Sequence, residues 1–379
     1  MDRRSVLMQA AVLGSRPRAA SPLPGQRMVS RSAGQQKAAA PSIPPMGGVR
    51  CDQAVFTSIR SPMGEGYRLV AASPGLQAEE KNEITRRSPS HGSLCDESQS
   101  ATGLLSYRLA SGRQVVACCT PAGQEHTGRG GCRVYTHLAI LTQDDYLAFY
   151  SNPILVHAAL ALVIERTGPC LSPPPRLDPM FLAPVREPAA FPRPCVQTTW
   201  LWAMVSQLLT DNRMTILTGL ADWRTWLGWL WFMLPRDVRA SVDVSVGLKY
   251  APARGMRLVV MPDQSAPGRA LPIGKDVVLH DALCPPPEPL PVCEPWLRLL
   301  HRWWQEHRYA ELVRLTSDIG APADPVALSR LAALCEDLDR ARTGDSAVRE
   351  ALVRRYTHFA AQVSGENHLA EQILAACEK

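Results

Sequence analysis

The sequence predicts an α+β protein with a strand-rich N-terminal domain, an α/β middle domain and a helical C-terminal region. Three observations support this prediction. Short alternating apolar runs, separated by turn residues, dominate residues 51–166. Helix and strand patterns alternate over residues 197–283. From residue 296 onwards the segments carry apolar residues at helical spacing, as expected for a small helical bundle.

The length of the chain predicts more than one domain. A chain of 379 residues is too long for one ordinary core, so two or three domains are expected. The 33 prolines cluster, and the clusters mark a connector at 167–196 and a hinge at 284–295. The predicted folded domains are therefore 51–166, 197–283 and 296–379.

The first 50 residues have the composition of a disordered basic tail. They hold eight basic residues and one acidic residue, together with much Ser, Ala, Pro and Gly. The net charge of the whole chain is +6, so the rest of the chain is nearly neutral and provides no general field for nucleic acid. Arg3 and Arg4 precede a short apolar run, but Gln9 interrupts it, so an export signal is not favoured.

The cysteine content indicates the redox compartment. The 11 cysteines are odd in number and irregular in spacing, which is not the pattern of a secreted disulfide framework. They are expected to be reduced and mostly buried thiols, and the protein is expected to be cytoplasmic.

The N-terminal domain is predicted to consist of hairpins and short helices. Alternating runs predict strands, Thr142 and Asp145 resemble a capping box, and Asn152-Pro153 restarts a helix. The predicted strands are 55–59, 67–71, 104–109, 114–120 and 134–141, and the predicted helices are 78–87, 142–150 and 154–164.

The rest of the chain is predicted as an α/β domain followed by helices. In the middle domain we expect helices 198–209 and 222–234 and strands 214–218, 241–246, 256–261 and 277–279. The predicted C-terminal helices are 296–307, 309–316, 325–342, 346–363 and 367–377. The four tryptophans of helix 222–234 are expected in the core, with a membrane-surface face as the alternative. The apolar runs end well short of the ~20 residues that span a bilayer, so no membrane span is predicted.

The sequence contains no phosphate-binding loop. The only Gly-Lys pair is Gly274-Lys275, but Arg269 stands where the loop needs glycine and Asp276 where it needs Ser or Thr. Directly after strand 214–218, residues 219–223 (GLADW) contain one glycine and no lysine. Nucleotide hydrolysis by this chain is therefore not predicted, and no cofactor is expected.

Metal and nucleophile patterns are also weak. The cysteines and histidines of the N-terminal domain lack a Cys-x-x-Cys pair, so no metal site is predicted. No Gly-x-Ser-x-Gly sequence and no pair of carboxylates stands out, so no catalytic residue is assigned. The pairs Cys95 with His91 and Cys132 with His137 leave one alternative open, a Cys/His-dependent hydrolase or transferase in this domain.

Two groups of residues resemble a known family. Within the stretch 56–94, residues 66–68 (GYR) and 72–76 (ASPGL), followed by 135–139 (YTHLA), resemble the N-terminal domain, type 2, of the GTPase-associated protein family of bacterial conflict systems. Residues 234–241 (LPRDVRAS), leading into strand 242–246, are similar to the middle domain of that family.

The resemblance implies a role and not a reaction. Members of the family accompany a GTPase that is encoded nearby and look like adaptors between it and other components of a defence system. It implies a GTPase and other conflict-system proteins as partners. Arg68, Ser73 and Gly75 are the candidate partner-binding residues, together with Arg129 in the glycine-rich loop 123–131. The alternative is that residues 73–75 are only a strand-to-helix turn and that the loop is only solvent-exposed.

Overall fold

A mixed ten-stranded β-sheet is the centre of the structure. The computed structural model describes residues 48–61, 64–98, 101–125, 131–170, 174–184, 192, 197–262, 276–288, 293–319, 324–342, 347 and 350–352. All of them belong to one compact unit, residues 44–379. The predicted disordered tail lies outside the described residues up to position 47.

The strands follow the chain in this order: β1 Val49–Ser61, β2 Gly64–Ala72, β3 Gly103–Arg108, β4 Gln114–Gln124, β5 Cys132–Leu141, β6 Met180–Leu182, β7 Met214–Thr218, β8 Val244–Val246, β9 Leu258–Met261 and β10 Val277–Asp281. Across the sheet the order is β10-β7-β9-β8-β3-β4-β5-β1-β2, and β6 pairs with β1 beside this path.

The sheet has a parallel part and an antiparallel part. Strands β10, β7, β9 and β8 run parallel to one another. Strand β8 then pairs antiparallel with β3, with Leu104 opposite Val246. Strands β3, β4, β5, β1 and β2 continue as antiparallel neighbours. Strands from the predicted N-terminal domain and from the predicted middle domain therefore share one sheet.

The helices are α1 Ala78–Arg87, α2 Gln143–Leu147, α3 Pro153–Thr167, α4 Thr198–Thr210, α5 Trp223–Met233, α6 Arg236–Ser241, α7 Glu294–Gln305, α8 Tyr309–Asp318 and α9 Pro325–Arg342. The capping pattern at Thr142 is confirmed, because the Thr142 side chain accepts a hydrogen bond from the Asp145 N–H at 3.1 Å. Asn152 caps α3 in the same way, with Pro153 in its first turn.

The two faces of the sheet carry two apolar clusters. One cluster contains the inward residues of α3, α4, α5, α7, α8 and α9 and alternate residues of the strands, such as Val116 and Cys118 on β4. The other cluster contains Ile84 of α1 and the intervening residues of β4, such as Ala117 and Cys119. Cys118 and Cys119 thus point to opposite faces, as strand geometry requires. The predicted mixed α+β class is confirmed.

Several element boundaries differ from the sequence predictions. Strand β1 begins at Val49, so Val49 and Arg50 belong to the sheet and not to a tail. Ser241 ends helix α6, and β8 is restricted to Val244–Val246, because residues 236–241 form a helical turn before the strand begins. Helix 346–363 lies mostly, and helix 367–377 entirely, outside the described residues.

The proline-rich connector contributes to the sheet. Its residues Met180–Leu182 form β6 and pair antiparallel with the start of β1. The Ala72 N–H, at the end of β2, donates a hydrogen bond to Pro175 O at 3.1 Å. This part of the connector is extended, as its composition predicts, but backbone pairing fixes it in place.

The tryptophans of α5 lie in the core. Trp223, Trp226, Trp229 and Trp231 are at most 7% exposed. Among the described helices, none has the length and apolarity that crossing a membrane would need.

Candidate partner-binding site

The turn between β2 and α1 is held against β1 by Ser73. The Ser73 side chain is fully buried, and its Oγ accepts a hydrogen bond from the Gln53 N–H at 2.9 Å. The Ser73 N–H in turn donates to Gln53 O at 2.8 Å. The Ser73 hydroxyl is therefore committed to the turn, which is the structural role considered as the alternative.

Gly75 allows this turn to approach β1 closely. A Cβ at position 75 would lie 2.6 Å from Asp52 Oδ2, which is closer than any ordinary contact. A side chain at position 75 would therefore displace the Asp52 carboxylate from its present place. The neighbouring carboxylate of Asp52 also belongs to a group of charged residues beside the turn.

A network of buried and half-buried charges surrounds the turn. Arg113 Nη2 donates to Asp52 Oδ2 at 2.6 Å, and Arg113 Nη1 lies 3.3 Å from Glu80 Oε2. Glu80 is 4% exposed, and it also accepts hydrogen bonds from the Ser111 hydroxyl at 2.6 Å and the Gln77 N–H at 3.0 Å. Each of the two carboxylates therefore has a charged donor in Arg113, whereas Arg113 Nε is buried without a hydrogen-bond partner among the described residues.

A cavity of about 250 Å³ opens beside this network. Its charged lining consists of Arg50, Asp52, Arg113 and Asp145. Arg50 is exposed and has no ion-pair partner among the described residues. Burial raises the pKa of the Cys51 thiol, which also lines the cavity, to about 12, so this thiol stays protonated at neutral pH. The cavity presents charge of both signs and suits polar recognition.

The remaining predicted partner-binding residues lie elsewhere. Arg68 is half-buried on β2, opposite Thr57 of β1. Arg129 lies outside the described residues. The partner-binding role of Arg68, Ser73, Gly75 and Arg129 stays a prediction. Asp52 and Arg113 were not predicted from the sequence, because a pair separated by 61 positions leaves no local pattern.

A second cavity, of about 180 Å³, lies where β8 and β9 end. The carboxyl ends of parallel strands are the usual ligand position in α/β sheets. Arg224 lies over the Trp223 ring at 4.4 Å and donates a hydrogen bond to the Thr102 hydroxyl. Cys95 and Asp96 complete the polar lining.

The turn from β7 to α5 is the position where a phosphate loop would lie. Gly219 has a φ of 71°, and a Cβ there would lie 2.8 Å from Asp281 Oδ1. Asp222 caps α5 by accepting from the Thr225 N–H at 3.3 Å. Two carboxylates thus flank the turn, and they oppose the binding of a phosphate, which needs free N–H groups and cations.

The two cysteine–histidine pairs differ in their placement. Cys132 and His137 lie on β5 five positions apart, so they point to opposite faces and their Cα atoms are about 16 Å apart. They do not form a nucleophile–base pair. Cys95 lines the second cavity, whereas the His91 ring lies 6.3 Å from the Tyr67 ring. Among the described residues, no group of three His, Cys, Asp or Glu side chains is arranged to hold a metal ion.

Comparison with known proteins agrees with the resemblance in the sequence. Residues 50–163 match the family model described as GTPase-associated protein 1, N-terminal domain type 2. The match spans β1 to α3 and includes the turn, the charged network and most of the cavity lining. A comparison with curated proteins found no match. The similarity of residues 234–241 to a middle domain of the family stays a prediction. Residues 50–163 are therefore similar to the type 2 N-terminal domain of GTPase-associated protein 1.

Proposed function

We propose that this protein is a non-catalytic adaptor that associates with a GTPase in a bacterial conflict system and acts in the cytoplasm. The match of residues 50–163 to the N-terminal domain of GTPase-associated protein 1 is the observation that carries the proposal. Its partners are a GTPase encoded nearby and other proteins of the same system, with no specific nucleic acid. The protein needs no cofactor for this role.

The residues of the β7–α5 turn support the role of a protein that binds a GTPase, and they do not favour this chain being a GTPase itself. Carboxylates of Asp222 and Asp281 stand where a nucleotide-binding turn would present N–H groups and a lysine. The nucleotide is then bound by the partner, and this chain responds to the state of the partner.

The charged cavity beside the β2–α1 turn is the proposed contact surface. Arg50 and Asp145 present unlike charges on a rigid frame, which suits polar recognition of a protein surface. Ser73 and Gly75 determine the shape of the β2–α1 turn, and through it they position the charged cavity.

The experiment is co-purification with the product of a neighbouring GTPase gene, loaded with GDP or with a non-hydrolysable GTP analogue. The expected result is a complex whose yield depends on the nucleotide. The Arg50→Glu variant is expected to weaken it about tenfold or more through charge reversal at the cavity. Arg86→Glu, at the exposed end of α1, is the matched control. The absence of any nucleotide-dependent partner would contradict the proposal.

The second candidate is a Cys/His-dependent hydrolase or transferase in the N-terminal domain. The observation that favours it is the position of Cys95 in the second cavity. Single Cys95→Ala and His91→Ala variants that retain full function in the host would exclude this pair.

A further inference from the structure

The cavity of about 180 Å³ at the ends of β8 and β9 has walls that backbone hydrogen bonds hold together. The Cys95 N–H donates to Gly247 O at 2.9 Å, and the Gly247 N–H donates to Val260 O at 2.9 Å. Gly247 has a φ of 66°, and a Cβ there would lie 3.2 Å from Thr102 O. The turn after β8 therefore needs glycine, and its backbone lies against the segment that carries Thr102.

Arg224 brings a positive charge to this cavity. Its guanidinium lies 4.4 Å from the centroid of the Trp223 ring and donates to the Thr102 hydroxyl, so its position is fixed from two sides. Asp96 also lines the cavity, but its two oxygens accept from the N–H and the hydroxyl of Ser98, each at 2.8 Å. A guanidinium has five N–H donors, and Arg224 has no salt bridge to a described carboxylate.

The buried groups close to Arg224 add no negative charge. The His157 side chain is 3% exposed, and its ring lies 5.9 Å from the Trp223 ring. Burial and the charge of Arg224 together lower the pKa of His157 to about 4, so its ring is neutral at pH 7. Burial raises the pKa of the Cys118 thiol to about 12, so this thiol is protonated. The charge of Arg224 therefore remains available to an anion.

The rest of the lining indicates which anion fits. Leu94, Ala101 and Pro262 give the cavity an apolar part. Its volume of 180 Å³ equals that of about six water molecules, which suits a small organic molecule. A carboxylate matches the planar guanidinium of Arg224 with two parallel hydrogen bonds. A phosphate dianion has no apolar part and would meet stronger repulsion from Asp96.

We propose that this cavity binds a small organic carboxylate, whose charged end pairs with Arg224 and whose short apolar body lies against Ala101 and Pro262. The carboxyl ends of parallel strands are the usual ligand position in α/β sheets, and β8 and β9 are parallel. Trp223 and Thr102 act as positioning residues for Arg224. This site does not share a residue with the charged cavity beside the β2–α1 turn, and the proposal is independent of the adaptor function.

The first test is a titration of the full chain with para-fluorobenzoate, followed by fluorine NMR. Arg224→Gln removes the charge at an exposed position, and Arg298→Gln, at an exposed position of α7 outside the cavity, is the matched control. Arg224→Gln is expected to raise the Kd about tenfold, and Arg298→Gln is expected to leave it unchanged. The absence of saturable binding to the wild type, or equal Kd values for the two variants, would overturn the proposal.

Competition distinguishes the two kinds of anion. Unlabelled benzoate is expected to displace the probe at lower concentrations than inorganic phosphate does. Displacement by phosphate at the lower concentrations would overturn the assignment to a carboxylate.

A second measurement locates the ligand in the wild-type protein. Cys95 lines the cavity, whereas Cys284 is an exposed thiol outside it. Alkylation of both thiols by iodoacetamide is followed by mass spectrometry with and without benzoate. At a benzoate concentration ten times the Kd, about one site in eleven is free, so alkylation of Cys95 is expected to slow about tenfold. Alkylation of Cys284 should keep its rate. An unchanged rate at Cys95 would overturn the proposal.

Discussion

The environment of His137 makes this residue neutral in the folded protein. The side chain is 8% exposed, and its Nε2 lies 2.8 Å from Gln53 Oε1. Because an amide oxygen only accepts hydrogen bonds, the neutral ring donates at Nε2. Burial lowers the pKa of His137 from its ordinary value of 6.5 to about 4. Burial also lowers the pKa of His157 to about 4.

These shifts predict a loss of stability in mild acid. As the pH falls from 6.5 towards 4, the unfolded chain binds a proton at His137 and the folded protein does not. The contribution of neutral His137 to the stability of the folded protein is complete above pH 6.5 and decreases below this pH. His137→Gln should flatten the dependence of the urea-unfolding free energy on pH between 6.5 and 4.5. Identical pH profiles for wild type and variant would contradict this explanation, and the exposed His301→Gln is the control.

At the level of elements, Arg239 connects the helices of one layer. Its guanidinium is 1% exposed and donates to carbonyls at the end of α5, Phe232 O at 3.2 Å and Leu234 O at 2.7 Å. It also donates to Tyr150 O at 2.9 Å and to the Ser317 hydroxyl of α8 at 3.1 Å. The segment 234–241, which is similar to a family middle domain, therefore contains a residue that joins three parts of the chain.

Replacing Arg239 should be strongly destabilising. Arg239→Ala removes several buried hydrogen bonds of one guanidinium at once, and the expected cost is about 3 kcal/mol in the free energy of unfolding. Arg213→Ala is the matched control, because the Arg213 side chain is 54% exposed and pairs with Asp211. Its expected cost is much smaller than that of Arg239→Ala, because an exposed ion pair contributes little to stability. Equal urea-unfolding free energies for the two variants would show that the Arg239 hydrogen bonds contribute little.

Most helices and strands could be predicted from local sequence patterns, whereas the contacts between distant segments could not. The apolar run along residues 134–141 and the apolar stripe at 325–342 each lie within one element, and both elements are observed. Strand β6 was not predicted, because three residues within a proline-rich segment carry too little pattern. The Asp52–Arg113 pair was not predicted either, because Asp52 lies on β1 and Arg113 in the turn between β3 and β4, 61 positions away.

At the level of the whole molecule, the sheet extends beyond the family-matched region. The edge of β3 pairs with β8, which lies about 80 residues after residue 163. Helices α4 and α5 cover the same apolar face as α3. The matched region therefore depends on later residues for one strand partner and for part of its core.

A fragment of residues 48–170 should not fold as the matched region does in the intact chain. It would expose the edge of β3 and an uncovered apolar face, which favours association and loose packing. A chain of residues 48–379 retains every described contact and should unfold in one cooperative transition. Near-ultraviolet circular dichroism during denaturant unfolding distinguishes the two. A cooperative transition of the fragment alone would contradict the shared core.

The sequence by itself determined the α+β class, most helices and strands, the missing phosphate loop and the resemblance to a GTPase-associated domain. Periodicity, caps and turn residues act between neighbours a few positions apart, so the chain displays them directly. Only the tertiary structure decided that the strands share one sheet, that Asp52 meets Arg113, and that Arg224 donates to the Thr102 hydroxyl. These contacts join residues tens of positions apart, and they form only when packing of the whole chain brings their elements together.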